Sequence, residues 1–309
     1  MLLLLLLNAL WASTFTIGKL ILEYMPPILF VAVRMLAAGV ILLGYQYLLR
    51  RDQWRFERKD WSFFAQITIF FMYIAFITEF LALQGVTAAK ACLLFNSSPF
   101  FMALFAYFLL GDRLTFKQWA GLCIGMLGFV PIIMNQTAEE AFSFHFGFLS
   151  LPEMLLLLSV VTSTYGWILI KKLVVDRGYS SVMVMGVTML GGGILSLATS
   201  LFIEGAPHLY ISLYGEYGLS PEQYAVVMAA VYTALLVLIA HIVCFNLQSH
   251  LMKYYSVTFI TFTGFTSPLF AALLDWIVFG IIAPAAFFIT ILLVILGLYL
   301  FYQDELSIN

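Results

Sequence analysis

The chain has 309 residues, of which 63% are hydrophobic, 17% aromatic and only 10% charged. Soluble domains run near a quarter charged, so this composition excludes an ordinary water-soluble enzyme. A net charge of −2 supplies no basic stripe for nucleic acid, and 30 Phe and 21 Gly spread over the whole length exclude a lone anchor on a soluble domain.

Taken in chain order, ten stretches reach the roughly 20 mostly apolar residues that cross a bilayer core. They are 2–22, 27–48, 61–83, 87–110, 115–134, 147–170, 181–203, 224–248, 255–280 and 284–302. The longest connections, 49–60 and 204–223, are too short for a separate soluble domain. The opening MLLLLLLNALWAS has no basic residue before its apolar run, and that run continues to Leu22. It therefore reads as a first span rather than a cleaved signal. Cys92, Cys123 and Cys244 each lie in an apolar run, without CxxC spacing, and read as small buried hydrophobes.

Basic residues cluster on alternate connections: Arg50, Arg51, Arg55, Arg58 and Lys59 after the second span, Arg113 and Lys117 after the fourth, Lys171, Lys172 and Arg177 after the sixth, and Lys253 after the eighth. The other connections carry acidic residues and almost no basic ones. By the positive-inside rule both termini are expected in the cytoplasm.

The chain also repeats itself. Ser98-Pro99 with Ala103, Gly111 and Gly128 returns as Ser267-Pro268 with Ala272, Gly280 and Gly297, at one constant shift of 169 positions. Ser13-Thr14-Phe15 matches Ser163-Thr164-Tyr165, and Met35-Leu36 with Gly39 matches Met189-Leu190 with Gly193. The expectation is two five-helix halves, 1–134 and 147–303. Five crossings are odd, so the second half is inverted relative to the first. In transporters such repeats place the substrate near the midplane.

The runs WASTFTIGKLILEYMPPILFVAVRMLAAGVILL and LLFNSSPFFMALFAYFLLGDRLTFKQWAGLCIGMLGF resemble the EamA domain of the drug/metabolite transporter superfamily. The likeness extends over nearly the whole chain as two units. In the second unit FTSPLFAALLDWIVFG keeps the pattern, but Ile281 stands where the first unit has the acidic Asp112. The resemblance implies an all-α integral membrane protein of ten transmembrane helices in two inverted repeats, set in a bacterial inner membrane. It implies a secondary transporter that moves a small metabolite by alternating access through a central cavity. Amino acids and their derivatives, nucleosides and S-adenosylmethionine all lie within its substrate range. Lys19 and Arg34 match a Lys and an Arg that the family carries in its first two spans.

Charges within spans are costly in a bilayer, about 2.5 kcal/mol or more each, and usually face a polar interior. Lys19, Arg34, Glu79 and Lys90 are such residues, with Glu153 and Asp275 nearer span ends. All six fall in the outer half by crossing direction, as a gate, a site for an ionised substrate, or snorkelling and structural pairs. Glu79 and Lys90 flank one short turn and could pair. Near the midplane stand Asn96, Ser97, Ser98 and Pro99, and their counterparts Thr263, Thr266, Ser267 and Pro268. Each proline interrupts its helix and frees a carbonyl for a ligand or for a neighbouring hydroxyl. Trp11, Phe15, Tyr73, Tyr165 and Trp167 are candidate cavity aromatics beside Thr14. His241 is the intramembrane base best placed to titrate near neutrality, with Asn246, Gln248 and His250 following it. Gly121, Gly125 and Gly128 read as a packing seam.

The expected partners are the bilayer, a small-molecule substrate and a coupling proton or counter-substrate, with the chain a monomer or weak homodimer. No metal, cofactor or nucleic acid is expected. An enzyme is disfavoured because HExxH, paired Asp motifs and Gly-rich phosphate loops are all missing from the sequence. A channel or lipid scramblase is the alternative of another class; it would want a continuous polar stripe rather than two midplane clusters.

Overall fold

The computed structural model describes residues 2–51, 55–105, 107–108, 115–135, 144–146, 149–207, 209–210, 220–251 and 263–306. Arg113, Lys253, Gly111, Asp112 and the side chains of Asn246 and His250 lie outside the described residues.

Among the described residues eight helices are long and apolar enough to cross a membrane. They are α1 (Leu2–Ile21), α2 (Pro27–Leu49), α3 (Arg58–Leu83), α4 (Ala88–Phe105), α5 (Phe116–Met134), α6 (Leu151–Asp176), α7 (Ser181–Ile203) and α8 (Pro221–Cys244). Two further apolar helices follow, α9 (Ser267–Phe279) and α10 (Ala285–Leu306). Large apolar side chains face outward on several of them; Phe202 is 93% exposed and Leu292 69%. Such surfaces fit lipid, where a helix satisfies its own backbone polar groups.

Local chemistry sets the helix starts. Thr115 caps α5 and Ser220 caps α8, each in a reciprocal capping box with the glutamine three residues on. The second box starts α8 at Pro221, three residues earlier than its apolar pattern. The Pro26-Pro27 start of α2 is capped by Glu204, whose two carboxylate oxygens accept the amides of Ile28 and Leu29 at 2.9 and 2.8 Å. The helix widens to π form at Ile67–Ala75 in α3, Lys172–Asp176 in α6 and Val237–Cys244 in α8. Runs of this kind are rare and gather at functional sites.

The chain divides into two compact units. The first comprises Met1–Thr16, Gly85–Val160 and Ile242–Asn309. Its tightest pair is α5 with α10. A Cβ on Gly121 would come 2.5 Å from the carbonyl oxygen of Gly297, and Gly297 in turn lies on the backbone of Gly125. Gly128 rests against Val294. The glycine seam therefore lets two backbones touch. Cys123, expected to be buried, is exposed on α5, whereas Cys92 and Cys244 are buried. It occupies the opposite side of the helix from the seam formed by Gly121 and Gly125.

In this unit α4 breaks at Asn96 and Ser97, and the helix resumes at Ser98. The same break recurs at Phe265 and Thr266, just before α9. The loosened backbone is refilled locally: the Ser97 hydroxyl donates to the Leu94 carbonyl at 2.6 Å, and Thr266 to Thr263 at 2.7 Å. Gly280 closes α9 in a left-handed conformation, φ 68°, with its amide and that of Ile281 turned back to Trp276 and Asp275.

The second unit comprises Ile17–Gln84 and Val161–His241. Here α2 and α7 form the tightest pair. Gly39 lies against Leu190 and Gly193 against Leu36, each leaving only 2.8 Å between a would-be Cβ and the facing backbone nitrogen. The contacts are reciprocal between residues that the repeat makes equivalent. At one end of the unit, Asp60 receives the Tyr179 hydroxyl at 2.8 Å and pairs with Arg177.

Candidate functional site

Each unit holds buried ionisable side chains. In the first, Lys90 and Glu153 form an ion pair of 2.7 Å at 3% and 0% side-chain exposure. The lysine follows from the start of α4: the Thr87 side chain accepts the Lys90 amide at 3.1 Å, and Asp275 accepts the Ala89 amide at 2.8 Å. A carboxylate and a hydroxyl thus cap one helix end, where the dipole favours negative charge. The other oxygen of Glu153 takes the amide and hydroxyl of Ser150 at 2.8 and 2.9 Å. Lys90 also reaches the Asn135 carbonyl at 3.5 Å. Lys90 and Asp275 line a cavity of about 220 Å³ with Thr87, Asn135, Ile281 and Phe287. The partner of Lys90 is therefore Glu153, in place of the Glu79 that chain proximity favoured. Sequence distance hid this partner, since 63 residues separate the pair.

At the broken helices of the same unit, Asn8 of α1 donates to the Thr263 carbonyl at 2.6 Å and the Thr266 hydroxyl at 3.1 Å. Sequence reading passed over Asn8; a lone amide within a leucine-rich first span was the available signal. Trp11 donates to Gln248 at 3.1 Å and packs edge-on against Phe245. Thr14 turns back on the Trp11 carbonyl at 2.6 Å, and Phe15 meets Phe95. Asn96 donates to the Cys92 carbonyl at 2.9 Å. The hydroxyls of Thr14, Ser97 and Thr266, and the amide of Asn96, thus serve their own backbone.

In the second unit Arg34 of α2 is only 2% exposed. Its guanidinium stands 4.6 Å from the Phe76 ring centroid, 4.7 Å from Phe80 and 5.3 Å from Phe30. Glu79, one turn beyond Phe76, is half-buried, and both it and the buried His241 feel the Arg34 charge. Lys19 is half-buried on α1. Tyr73, on the π segment of α3, shares a 2.6 Å hydrogen bond with Thr199. Tyr165 donates to Gln66 at 2.5 Å, and Trp167 packs against Phe71. Arg34 thus lies among rings of the helix that carries Glu79, while Tyr73 and Tyr165 are tied to neighbouring helices. Among the described residues no group of three or more His, Cys, Asp or Glu could hold a metal ion.

Outside the spans, Tyr24 sits between α1 and α2, with ring contacts to Tyr224 and Tyr232 at 6.2 and 6.0 Å. Burial, then the Tyr224 hydrogen bond, pushes its hydroxyl up to about 12. Lys59 and Arg55 beside Glu57 hold that carboxyl below its ordinary range.

Comparison with known proteins shows what the chain is similar to. Over 97% of its length the chain is 29% identical to the S-adenosylmethionine/S-adenosylhomocysteine transporter of Chlamydia muridarum, covering 90% of that protein. It is 28% identical to the protein of the same name from Chlamydia trachomatis serovar D, again over 97% of this chain and 88% of the relative. A solved crystal structure, 17% identical, superposes with a TM-score of 0.57 over 100% of this chain and 96% of its own, which shows a shared fold. The EamA-like transporter family model matches residues 1–134 and 150–303. With spanning helices, buried intramembrane charges and two matched segments in one chain, the protein belongs to the EamA-like transporter family.

Proposed function

We propose that this transporter exchanges S-adenosylmethionine, or a closely related adenosyl amino acid, for its counter-substrate by alternating access. The observation that carries the reading is the near full-length likeness to relatives named for that transport. The buried side chains support it. An adenosyl amino acid carries a carboxylate, an ammonium and a flat aromatic base. The corresponding protein groups are a cation, a carboxylate and aromatic rings, available as Arg34, Glu79 and the phenylalanines around Arg34, with Lys19, Tyr73, Tyr165, Trp167 and His241 of the same unit as further candidates.

In this reading α9 and α10 complete ten crossings, and the halves 1–134 and 147–303 are inverted repeats. Reciprocal contacts support that symmetry. Gly39 meets Leu190 as Gly193 meets Leu36, and Gly128 meets Val294 as Gly297 meets Gly125. A two-fold relation between equivalent segments produces such self-complementary contacts. Both termini face the cytoplasm of a bacterial inner membrane.

Counterflow tests the function. Proteoliposomes preloaded with unlabelled S-adenosylhomocysteine should accumulate labelled S-adenosylmethionine saturably and several-fold above empty vesicles. Exchange restricted to free amino acids or nucleosides would replace the substrate assignment. Linear, non-selective flux would instead identify a channel.

A further inference from the structure

Arg34 has one edge without a hydrogen-bond partner among the described residues. Among the described residues its Nε and Nη2 have no hydrogen-bond partner, although the side chain is 2% exposed. These two nitrogens share the side of the guanidinium whose parallel N–H groups match the two oxygens of a carboxylate. Three rings surround the cation within 6 Å, but aromatic faces stabilise charge without accepting the in-plane hydrogens of that edge. The enclosure is built. Phe80 meets Phe30 edge-on at 5.0 Å, and Phe76 stacks on Phe71 at 5.6 Å. Gly18 leaves the room for Phe80, since a Cβ there would come 3.0 Å from the ring. Glu79 stands one turn beyond Phe76 and next to Phe80, the two residues whose rings hold Arg34, and among the described residues it forms no ion pair with Arg34, so its carboxylate is not the missing partner.

From this geometry we infer that the Nε–Nη2 edge of Arg34 receives the carboxylate of the transported molecule, with Glu79 taking its ammonium. The inference deepens the transport reading and rests on it for the identity of the rest of the substrate. The guanidinium edge supplies two parallel charge-assisted hydrogen bonds, and the ring enclosure keeps water from competing for them. A substrate without the carboxylate leaves the edge unmatched, so discrimination comes from the unmet donors.

The test measures binding of S-adenosylhomocysteine, its decarboxylated analogue, its deaminated analogue, methionine and the keto acid of methionine to purified protein in nanodiscs. Wild type should bind S-adenosylhomocysteine roughly tenfold or more tightly than the decarboxylated analogue. Arg34→Gln should make the two equal. Arg34→Lys keeps the charge over the rings but not the fork, and should lose most of the preference. Glu79→Gln should lose the preference for the amine while retaining that for the carboxylate.

A carboxylate preference that survives in Arg34→Gln overturns the inference, as does failure of every carboxylate probe to bind wild type. Binding of methionine but of no adenosyl compound, with the preference still dependent on Arg34, sinks the adenosyl reading and leaves this site standing. If the Arg34 variants do not fold, modification of wild type by an arginine-directed dicarbonyl decides. S-adenosylhomocysteine or methionine should slow labelling of Arg34 severalfold and the decarboxylated analogue should not; equal labelling in all cases overturns the site.

Discussion

Lys90 and Glu153 show what one buried residue demands of another. Removing charge from water is costly, and the 2.7 Å contact offsets that cost only while both partners remain. Glu153→Ala should therefore destabilise the protein by about 3–5 kcal/mol, as an uncompensated ammonium is left behind. The double change Lys90→Met with Glu153→Leu should recover most of the loss, because no charge stays buried. Thermal unfolding of the wild type and both variants in one detergent checks this; equal damage from single and double changes would show that packing or the Ser150 bonds, not charge pairing, dominate. At this scale the sequence exposed which residues were unusual, since ionisable groups in apolar runs are rare. It concealed their partners: Lys90 was placed with Glu79 by proximity along the chain, and Asp275 turned out to accept a backbone amide. Asn8 was overlooked because one amide in a leucine-rich helix carries no periodic signal.

At the scale of helices, glycine position decides how closely backbones approach. Gly193→Val places a branched side chain where a Cβ already comes 2.8 Å from the Leu36 nitrogen, so α2 and α7 must separate. The expected cost is about 1–3 kcal/mol or more, read as a lower thermal midpoint. Gly44 stands on the same helix as Gly39 with nothing within 4 Å of its would-be Cβ. Gly44→Ala should be neutral or stabilising by up to about 1 kcal/mol through helix propensity alone. If both substitutions behave alike, close approach is not what makes the glycine pair necessary. The positions of the helices were legible from apolar run length, and the boundaries of α2 and α7 fell within a residue of expectation. The start of α8 was not, because the Ser220–Gln223 box lies outside the apolar pattern. The breaks before Ser98 and Ser267 were legible as prolines, but their refilling by neighbouring hydroxyls required the folded geometry.

For the whole chain, the proposed orientation rests on the distribution of charge. Lys59 lies in the first turn of α3, at the end of the most basic stretch, and Glu23 lies between α1 and α2 where basic residues are missing. In a variant lacking the native cysteines, Lys59→Cys should react with an impermeant maleimide only after the cytoplasmic face is opened. Glu23→Cys should react in intact cells. Labelling of both from the same side would contradict the proposed topology.

The bilayer as solvent, the helical class, a multi-pass chain and the family resemblance were legible in the amino-acid sequence alone. Each of these depends on composition or on order along the chain: apolar length, basic clusters, and recurring Ser-Pro and Gly positions. Only the tertiary structure decided that Lys90 holds Glu153, that the repeat-related glycines touch reciprocally, and that Arg34 lies within three phenylalanine rings with one edge unmatched. These are relations between distant residues, set by which helix faces meet. The helical period confines a side chain to a face, but packing chooses which face lies opposite.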